Sequence, residues 1–222
     1  TSEPLLFKNI NQVLNRAKDA NIMDIFLFTN GVLLNEKNTE MILNSAVTRL
    51  FVSIDGLSEE TYNKVRVPVS KRLRDSNDRL SKLEKNIRYF MDQRDKKNLS
   101  LPLVRTSFVS LKENKSESQE FVNKWKNIVD SVEVQKETSI QAFNDFEKMQ
   151  NKKIPKLRKK YTCSEPWGQI TIYSDGTVAP CCNTFGRNLP IGNIKKNTLK
   201  EIWNCEEMKK IRYGFINNKP TK

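Results

Sequence analysis

Short apolar segments with the composition of buried strands alternate with amphipathic segments over the first 136 residues. Four segments are apolar and prone to β structure, namely residues 24–28, 50–54, 103–111 and 132–134. Apolar residues recur at helical spacing in residues 6–20, 36–46 and 79–96, and again at Phe121, Trp125 and Ile128. This alternation is typical of parallel β/α units. The sequence therefore predicts an α/β fold for residues 1–136.

Polar turn residues follow three of the predicted strands. Thr29-Asn30-Gly31 follows the first, Asp55-Gly56 ends the second, and residues 112–114 follow the third. Any one of these turns is explained by the need to reverse the chain. Ligands of parallel β/α folds bind at the carboxyl ends of the strands. Three polar turns at one edge therefore favour a ligand site there.

The pattern changes after Lys136. Residues 137–162 are polar and basic without clear periodicity, which predicts a linker. Residues 167–173 then alternate as a strand does, residues 174–176 form a Ser-Asp-Gly hairpin turn, and residues 177–179 are the returning strand. Residues 198–213 are predicted to be helical. The chain thus divides into residues 1–136, the linker, and a second unit of residues 163–222.

The four cysteines lie only in the second unit, and they are too few for a disulfide scaffold. This predicts a reducing, cytoplasmic setting. The hairpin would bring Cys163 near Cys181, so that two thiolates could share a soft metal or an iron–sulfur cluster. No CxxC pair is present, and four reduced, half-buried cysteines are the alternative interpretation. The roles of Cys182 and Cys205 stay open.

Several classes of protein are disfavoured by residues that the chain lacks. It has no histidine, which excludes Ser-His-Asp and Cys-His catalysis. It has 7 glycines and no GxGxxG or GxxxxGK[ST] loop. No apolar run approaches the roughly 20 residues of a membrane-spanning helix, and no secretory signal is visible. The chemistry of an enzyme of this composition would come from a cofactor.

The formal net charge is +13, from 39 Lys+Arg against 26 Asp+Glu. Such a balance suggests a polyanionic partner, nucleic acid above all. The alternative is a lysine-rich solvated surface. The densest basic cluster, residues 152–160, lies in the predicted linker without interleaved aromatic residues. The second interpretation is therefore favoured, and a nucleic-acid partner is not expected.

The second unit resembles the opening of a SPASM or twitch domain, the auxiliary iron–sulfur extension of radical S-adenosylmethionine (SAM) enzymes. The resemblance is carried by Cys163-Ser-Glu-Pro-Trp167, Ile170-x-Ile172, Asp175-Gly176-x-Val178-x-Pro180-Cys181-Cys182, Ile191-Gly-Asn-Ile194 and Glu201-Ile-Trp203. The Cys–x12–Gly–x4–Cys spacing is similar to that family's first half-motif. The resemblance implies that Cys163 and Cys181 are ligands of an auxiliary cluster.

The first unit resembles the same family independently. Ser2-Glu3-Pro4-Leu5 is similar to its Gly-Gly-Glu-Pro stretch, Thr29-Asn30-Gly31 to its TNG, and Val52 to Gly56 with Glu60-Thr-Tyr62 and Arg66 to its SIDG…ETY…R. The resemblance implies a partial, open, TIM-like (β/α) barrel. It also implies that Glu3 contacts the SAM amino group and that Thr29 and Asn30 help orient SAM. Ser53 and Asp55 would face the methionine and ribose groups of SAM. Arg105 would pair with the SAM carboxylate.

The resemblance implies an enzyme that generates a 5′-deoxyadenosyl radical for hydrogen abstraction from a peptide, a sugar or another small molecule. Its cofactors would be [4Fe–4S] clusters and SAM, with an electron donor such as flavodoxin or ferredoxin. The CxxxCxxC motif that holds the catalytic cluster is absent from these residues, and so are the last cysteines of a complete auxiliary domain. We therefore expect a truncated portion of such an enzyme, inactive alone. The alternatives are a noncatalytic radical-SAM-like binding protein and a basic nucleic-acid-binding protein with a structural metal.

Overall fold

The computed structural model describes residues 3–67, 78–137, 163–182 and 189–217. The chain forms two compact units, Thr1–Ile140 and Gln141–Lys222. Most of the predicted linker, residues 138–162, lies outside the described residues.

The first unit alternates helices and strands. A 3₁₀ turn over Pro4–Leu6 precedes α1 (Ile10–Asp19), β1 (Phe26–Thr29), α2 (Glu36–Leu43), β2 (Arg49–Ser53) and α3 (Glu59–Val65). The chain continues with α4 (Arg79–Lys96), β3 (Leu103–Ser110), a 3₁₀ turn over Lys115–Glu117, α5 (Ser118–Trp125) and β4 (Ser131–Lys136). Helix α4 has the predicted bounds, whereas the predicted helix over 6–20 begins only at Ile10.

The four strands form one parallel sheet in the order β1-β2-β3-β4. This confirms the predicted α/β class and brings the carboxyl ends of the strands to one edge. The register places Ser53 beside Ser107, and Ser107 beside Glu133. It likewise places Phe51 between Phe28 and Arg105.

The two faces of the sheet differ because successive strand residues point to opposite sides. One face packs into the core with the apolar residues of the helices, and its buried members include Leu27, Leu50, Val52, Val104 and Phe108. On the other face, which we call the open face, Phe26 and Phe28 are 46% and 61% exposed. The described helices of the first unit therefore cover one face of the sheet, as expected for part of an open β/α barrel.

The second unit is built on a small antiparallel sheet. Helix α6 (Glu165–Gly168) precedes β5 (Thr171–Ile172), β6 (Thr177–Ala179), β7 (Gly192–Asn193), α7 (Leu199–Trp203) and α8 (Glu206–Ile216). The strands pair in the order β5-β6-β7. Gly176 adopts φ +89° in the predicted hairpin turn, a conformation that glycine reaches without steric strain.

Two predictions about the second unit were wrong in detail. The predicted strand over 167–173 is reduced to two residues, because Pro166 lies in the first turn of a short helix and residues 165–168 are helical. The predicted helix over 198–213 is two helices. Asn204 ends α7, and Cys205 begins α8 as its N-cap.

Candidate functional site

Glu3 is held at the end of β1 by three hydrogen bonds. Its Oε1 accepts from Thr29 Oγ1 at 2.7 Å and from Leu5 N at 3.2 Å, and its Oε2 accepts from Asn30 N at 2.7 Å. A carboxylate has about four acceptor positions. The described residues therefore leave one position on Oε2 for a further donor, such as an ammonium group.

Thr29 and Asn30 also fix the turn that follows β1. Thr29 Oγ1 accepts a hydrogen bond from Gly31 N at 3.0 Å, and Asn30 Oδ1 accepts one from Val32 N at 3.0 Å. Gly31 adopts φ +72°, and a Cβ there would lie 2.2 Å from a Leu83 methyl carbon. The sequence pattern Thr-Asn-Gly thus produces one tight turn that carries Glu3 at the strand end.

The carboxylate of Asp55 is engaged within the protein. Its Oδ2 accepts from Arg66 Nε at 2.8 Å and lies 2.5 Å from Arg66 Nη2, while its Oδ1 accepts from Val109 N at 2.6 Å. Asp55 is 5% exposed and adopts φ +60°. The structure therefore gives Asp55 a clear role in joining the ends of β2 and β3. Its predicted contact with SAM stays a prediction.

Two further residues complete this edge of the sheet, and one of them was missed by sequence reasoning. Asn114 is fully buried and donates to the carbonyl oxygens of Asp55 and Val109, both at 3.0 Å. Glu117 accepts from Leu57 N and Thr61 Oγ1, both at 2.7 Å. Asn114 lies in a turn that the sequence singled out. Glu117 had no local signal, because its partners lie about 60 positions away.

Ser53 and Arg105 lie on the open face. Ser53 is half-buried at the last position of β2, one strand away from the Thr29-Asn30 turn. Arg105 donates to Glu133 Oε2 at 2.9 Å and lies over the Phe51 ring, 4.9 Å from its centroid. The structure therefore joins Glu3, Thr29 and Asn30 by direct hydrogen bonds. It places Ser53 next to them, and Arg105 one layer further toward the amino ends of the strands.

The cysteines are all free thiols. Cys163 and Cys181 are half-buried, and they flank the β5–β6 hairpin on its two sides in the chain. Thiolates are the donors that iron–sulfur clusters use, so both residues fit as part of a ligand set. Within the described ranges, no group of three or more Cys, Asp or Glu side chains is arranged to hold a metal ion.

Cys205 has a structural explanation. Its Sγ donates to Ile191 O at 3.3 Å and accepts from Met208 N at 3.4 Å, which makes it the N-cap of α8. The side chain therefore joins α8 to the segment that leads into β7.

Comparison with known proteins finds relatives for the second unit and for the fold. The model of the SPASM iron–sulfur cluster-binding domain matches residues 163–222. Probable GTP 3′,8-cyclases of Methanocaldococcus jannaschii and Methanococcus maripaludis are 41% and 40% identical over 63 and 65 residues. These matches cover 28% and 29% of this chain. The chain spans about a fifth of the length of these curated relatives, 21% and 22%.

Solved structures match over nearly all of the chain. Streptococcus suis SuiB bound to S-adenosylmethionine matches with a TM-score of 0.66 and 16% identity, covering 96% of this chain and 55% of SuiB. The enzyme anSMEcpe with bound AdoMet matches with a TM-score of 0.57 and 16% identity, covering 92% of this chain and 60% of its own. These likenesses concern the fold.

The first unit thus has the fold of part of a radical SAM barrel. Residues 163–222 match the SPASM iron–sulfur cluster-binding domain. The fold is similar to that of radical SAM enzymes such as SuiB, which was solved with bound S-adenosylmethionine. Both findings confirm the predicted resemblance. No helix in the described part of the chain is both long and apolar enough to cross a membrane.

Proposed function

We propose that this chain supplies the SAM-orienting edge and the auxiliary cluster domain of a radical SAM enzyme that abstracts hydrogen from its substrate. The observation that carries the proposal is the position of Glu3. Its carboxylate is fixed by Thr29 and Asn30 at the carboxyl end of a parallel strand, with an acceptor position left on Oε2. A SPASM domain follows on the same chain.

Glu3, Thr29, Asn30 and Ser53 orient SAM in this proposal. The free acceptor position of Glu3 receives the SAM amino group, and a charged pair of this kind needs the carboxylate to be preorganised. Ser53 offers a hydroxyl to the methionine portion from the neighbouring strand. Asp55 acts by holding the ends of β2 and β3 together through Arg66 and Val109 N.

Arg105 is the proposed partner of the SAM carboxylate. A guanidinium matches a carboxylate with two parallel hydrogen bonds. Glu133 and the Phe51 ring keep the Arg105 side chain on the open face, which the described helices leave uncovered.

The first unit contains no cysteine, so its residues do not fit the catalytic cluster, and we assign no step through that cluster to this chain. In the whole enzyme, the family's chemistry is one-electron cleavage of SAM to methionine and a 5′-deoxyadenosyl radical. What this chain adds is orientation of SAM and shelter of the reaction from water on the open face.

A peptide is the proposed substrate class. SuiB bound to the precursor peptide SuiA matches 97% of this chain with a TM-score of 0.65, so the likeness extends over both units. The exposed Phe28 offers an apolar surface beside the polar edge, and the partly exposed Phe26 and Leu103 extend that surface toward the amino ends of the strands. Flavodoxin or ferredoxin is the proposed electron donor.

SAM binding to Glu3→Gln tests this arrangement. Loss of a hydrogen bond to a charged group costs about 1.5–3 kcal/mol, so we expect the Kd for SAM, measured by calorimetry, to rise roughly tenfold or more. Glu36→Gln is the matched control, because Glu36 is an exposed residue in the first turn of α2. Equal affinities for both variants and the wild type would contradict the proposed role of Glu3.

A further inference from the structure

Arg212 joins three segments of the second unit. Its Nε donates to Pro166 O at 2.9 Å, and its Nη1 donates to Trp203 O at 3.0 Å. Its guanidinium carbon lies 4.5 Å from the centroid of the Trp203 ring. One side chain on α8 therefore binds the helical turn after Cys163 and the end of α7.

The turn that carries Cys163 is short and tightly held. Trp167 N donates to Ser164 O at 3.0 Å, and Pro166 is buried. Two residues lie between Cys163 and Pro166, so their Cα atoms are at most about 10 Å apart at full extension and closer in a turn. The Trp167 ring also packs against Phe215 of α8, with centroids 6.4 Å apart. The helical turn that begins two residues after Cys163 is thus held by contacts with α8.

One nitrogen of Arg212 is left without a partner. Nη2 is buried and has no hydrogen-bond acceptor within the described residues. Both neighbouring nitrogens of the same guanidinium are satisfied by backbone carbonyls. A buried charged donor without an acceptor is costly, so its presence points to an acceptor outside the described residues.

An iron–sulfur cluster meets this requirement. Thiolate and sulfide sulfurs accept hydrogen bonds, and such hydrogen bonds help to set the reduction potential of a cluster. Residues beyond the direct ligands orient them and tune the metal.

We infer that Arg212 is the positioning residue of the auxiliary cluster in the second unit: it holds the Cys163 turn, and its Nη2 donates to a sulfur of the cluster that Cys163 binds. This inference rests on the proposed function, because it requires Cys163 to be a cluster ligand. It assigns Arg212 two effects, one on the placement of the ligand and one on the reduction potential.

The experiment uses the chain reconstituted anaerobically with iron and sulfide. The protein is labelled with ¹⁵N-arginine, and the reduced cluster is studied by pulsed electron paramagnetic resonance. We expect a nitrogen coupling that disappears in Arg212→Lys. We also expect the midpoint potential of Arg212→Gln to shift to more negative values, with part of the shift recovered in Arg212→Lys. Lys still carries the charge but cannot reach both carbonyls at once.

Lys210→Gln is the matched control, because it removes one positive charge from an exposed position of the same helix. The inference about Arg212 would be overturned, and the proposed function would stand, if the wild-type chain bound a cluster but showed no arginine nitrogen coupling and had the same midpoint potential as Arg212→Gln. A wild-type chain that binds no iron would overturn the auxiliary cluster, and with it the proposed function of the second unit. The coupling is measured on wild-type protein, so the test does not depend on whether Arg212→Gln folds.

Discussion

Asp55 and Arg66 form a two-point ion pair across eleven positions of the chain, with Asp55 Oδ2 2.8 Å from Arg66 Nε and 2.5 Å from Nη2. The pair closes the segment between β2 and α3. Because Asp55 Oδ1 also accepts from Val109 N at 2.6 Å, the same carboxylate joins the ends of two neighbouring strands. The polar edge of the sheet therefore depends on this carboxylate.

Asp55→Ala should lower the free energy of unfolding by about 2–3 kcal/mol. The substitution leaves Val109 N and a largely buried guanidinium without their acceptor. Urea unfolding measures the loss, and Asp92→Ala is the control, because Asp92 forms an exposed pair with Lys96 at 2.7 Å within α4. Exposed pairs contribute about 0–1 kcal/mol. Equal losses in the two variants would contradict the structural role of Asp55.

Gly31→Ala should be among the more destabilising glycine substitutions. The φ of +72° is strained for an L-residue, and the new Cβ would lie 2.2 Å from a Leu83 methyl carbon and 2.8 Å from one of Val52. We expect a loss of about 2 kcal/mol or more. Gly168→Ala is the control, since nothing lies within 4 Å of its Cβ position. Thermal melts of both variants measure the loss. A melting temperature of Gly31→Ala equal to that of the wild type would contradict the close packing of Leu83 and Val52 against Gly31.

Tyr62 should make stability fall at alkaline pH. Burial raises the pKa of the Tyr62 phenol above its ordinary 10.0, partly opposed by the charges of Arg79 and Arg66. The folded protein therefore gives up this proton at higher pH than the unfolded chain. Its stabilising contribution is complete below about pH 10 and is lost as the pH rises through the folded pKa.

Tyr62→Phe isolates this contribution. The difference in the free energy of unfolding between wild type and variant should be constant from pH 7 to about 9 and should decline above about 10. Denaturant unfolding at each pH measures it. A constant difference up to pH 11 would mean that the pKa of Tyr62 is not raised in the folded protein.

The cysteines should separate into cluster ligands and a helix cap. Cys163→Ser and Cys181→Ser should lose most of the iron bound by the reconstituted wild-type chain. Cys205→Ser should keep it, because serine is itself a favoured N-cap. Iron per chain and visible absorption measure the effect. An iron loss in Cys205→Ser equal to that in Cys163→Ser would show that Cys205 is a ligand.

Cys205→Ala tests the capping role of Cys205 in a second way. It removes the acceptor for Met208 N and the donor to Ile191 O. N-cap removal costs about 1 kcal/mol, so the second unit should melt earlier than in Cys205→Ser. Identical melts of the two variants would argue against the capping role.

The local sequence pattern predicted those helices whose buried residues recur over several turns. Leu80, Leu83, Ile87 and Met91 lie on one face of α4, and this periodicity gave its bounds. Helix α3 was not predicted from the sequence, because Tyr62 is its one buried residue and most of its other residues are polar. The break at Cys205 was also missed, because cysteine is not among the favoured N-cap residues and its bond to Ile191 O joins positions 14 apart.

The residues of the candidate site were found through motifs, and their contacts were not. Thr29-Asn30-Gly31 is readable as a turn, but nothing local indicates that Glu3 would bind it from 26 positions away. The same holds for Glu117 and Arg212, whose partners are backbone groups brought close by the fold. Long-range contacts of this kind depend on tertiary packing rather than on local sequence.

The most direct test of the central claim is SAM cleavage by the complete gene product that contains this chain, reconstituted anaerobically with iron and sulfide. Under dithionite, we predict formation of 5′-deoxyadenosine and methionine in equal amounts, at a rate reduced in Glu3→Gln and unchanged in Glu36→Gln. A protein that binds no iron and leaves SAM intact would contradict the enzymatic account and favour a noncatalytic binding role.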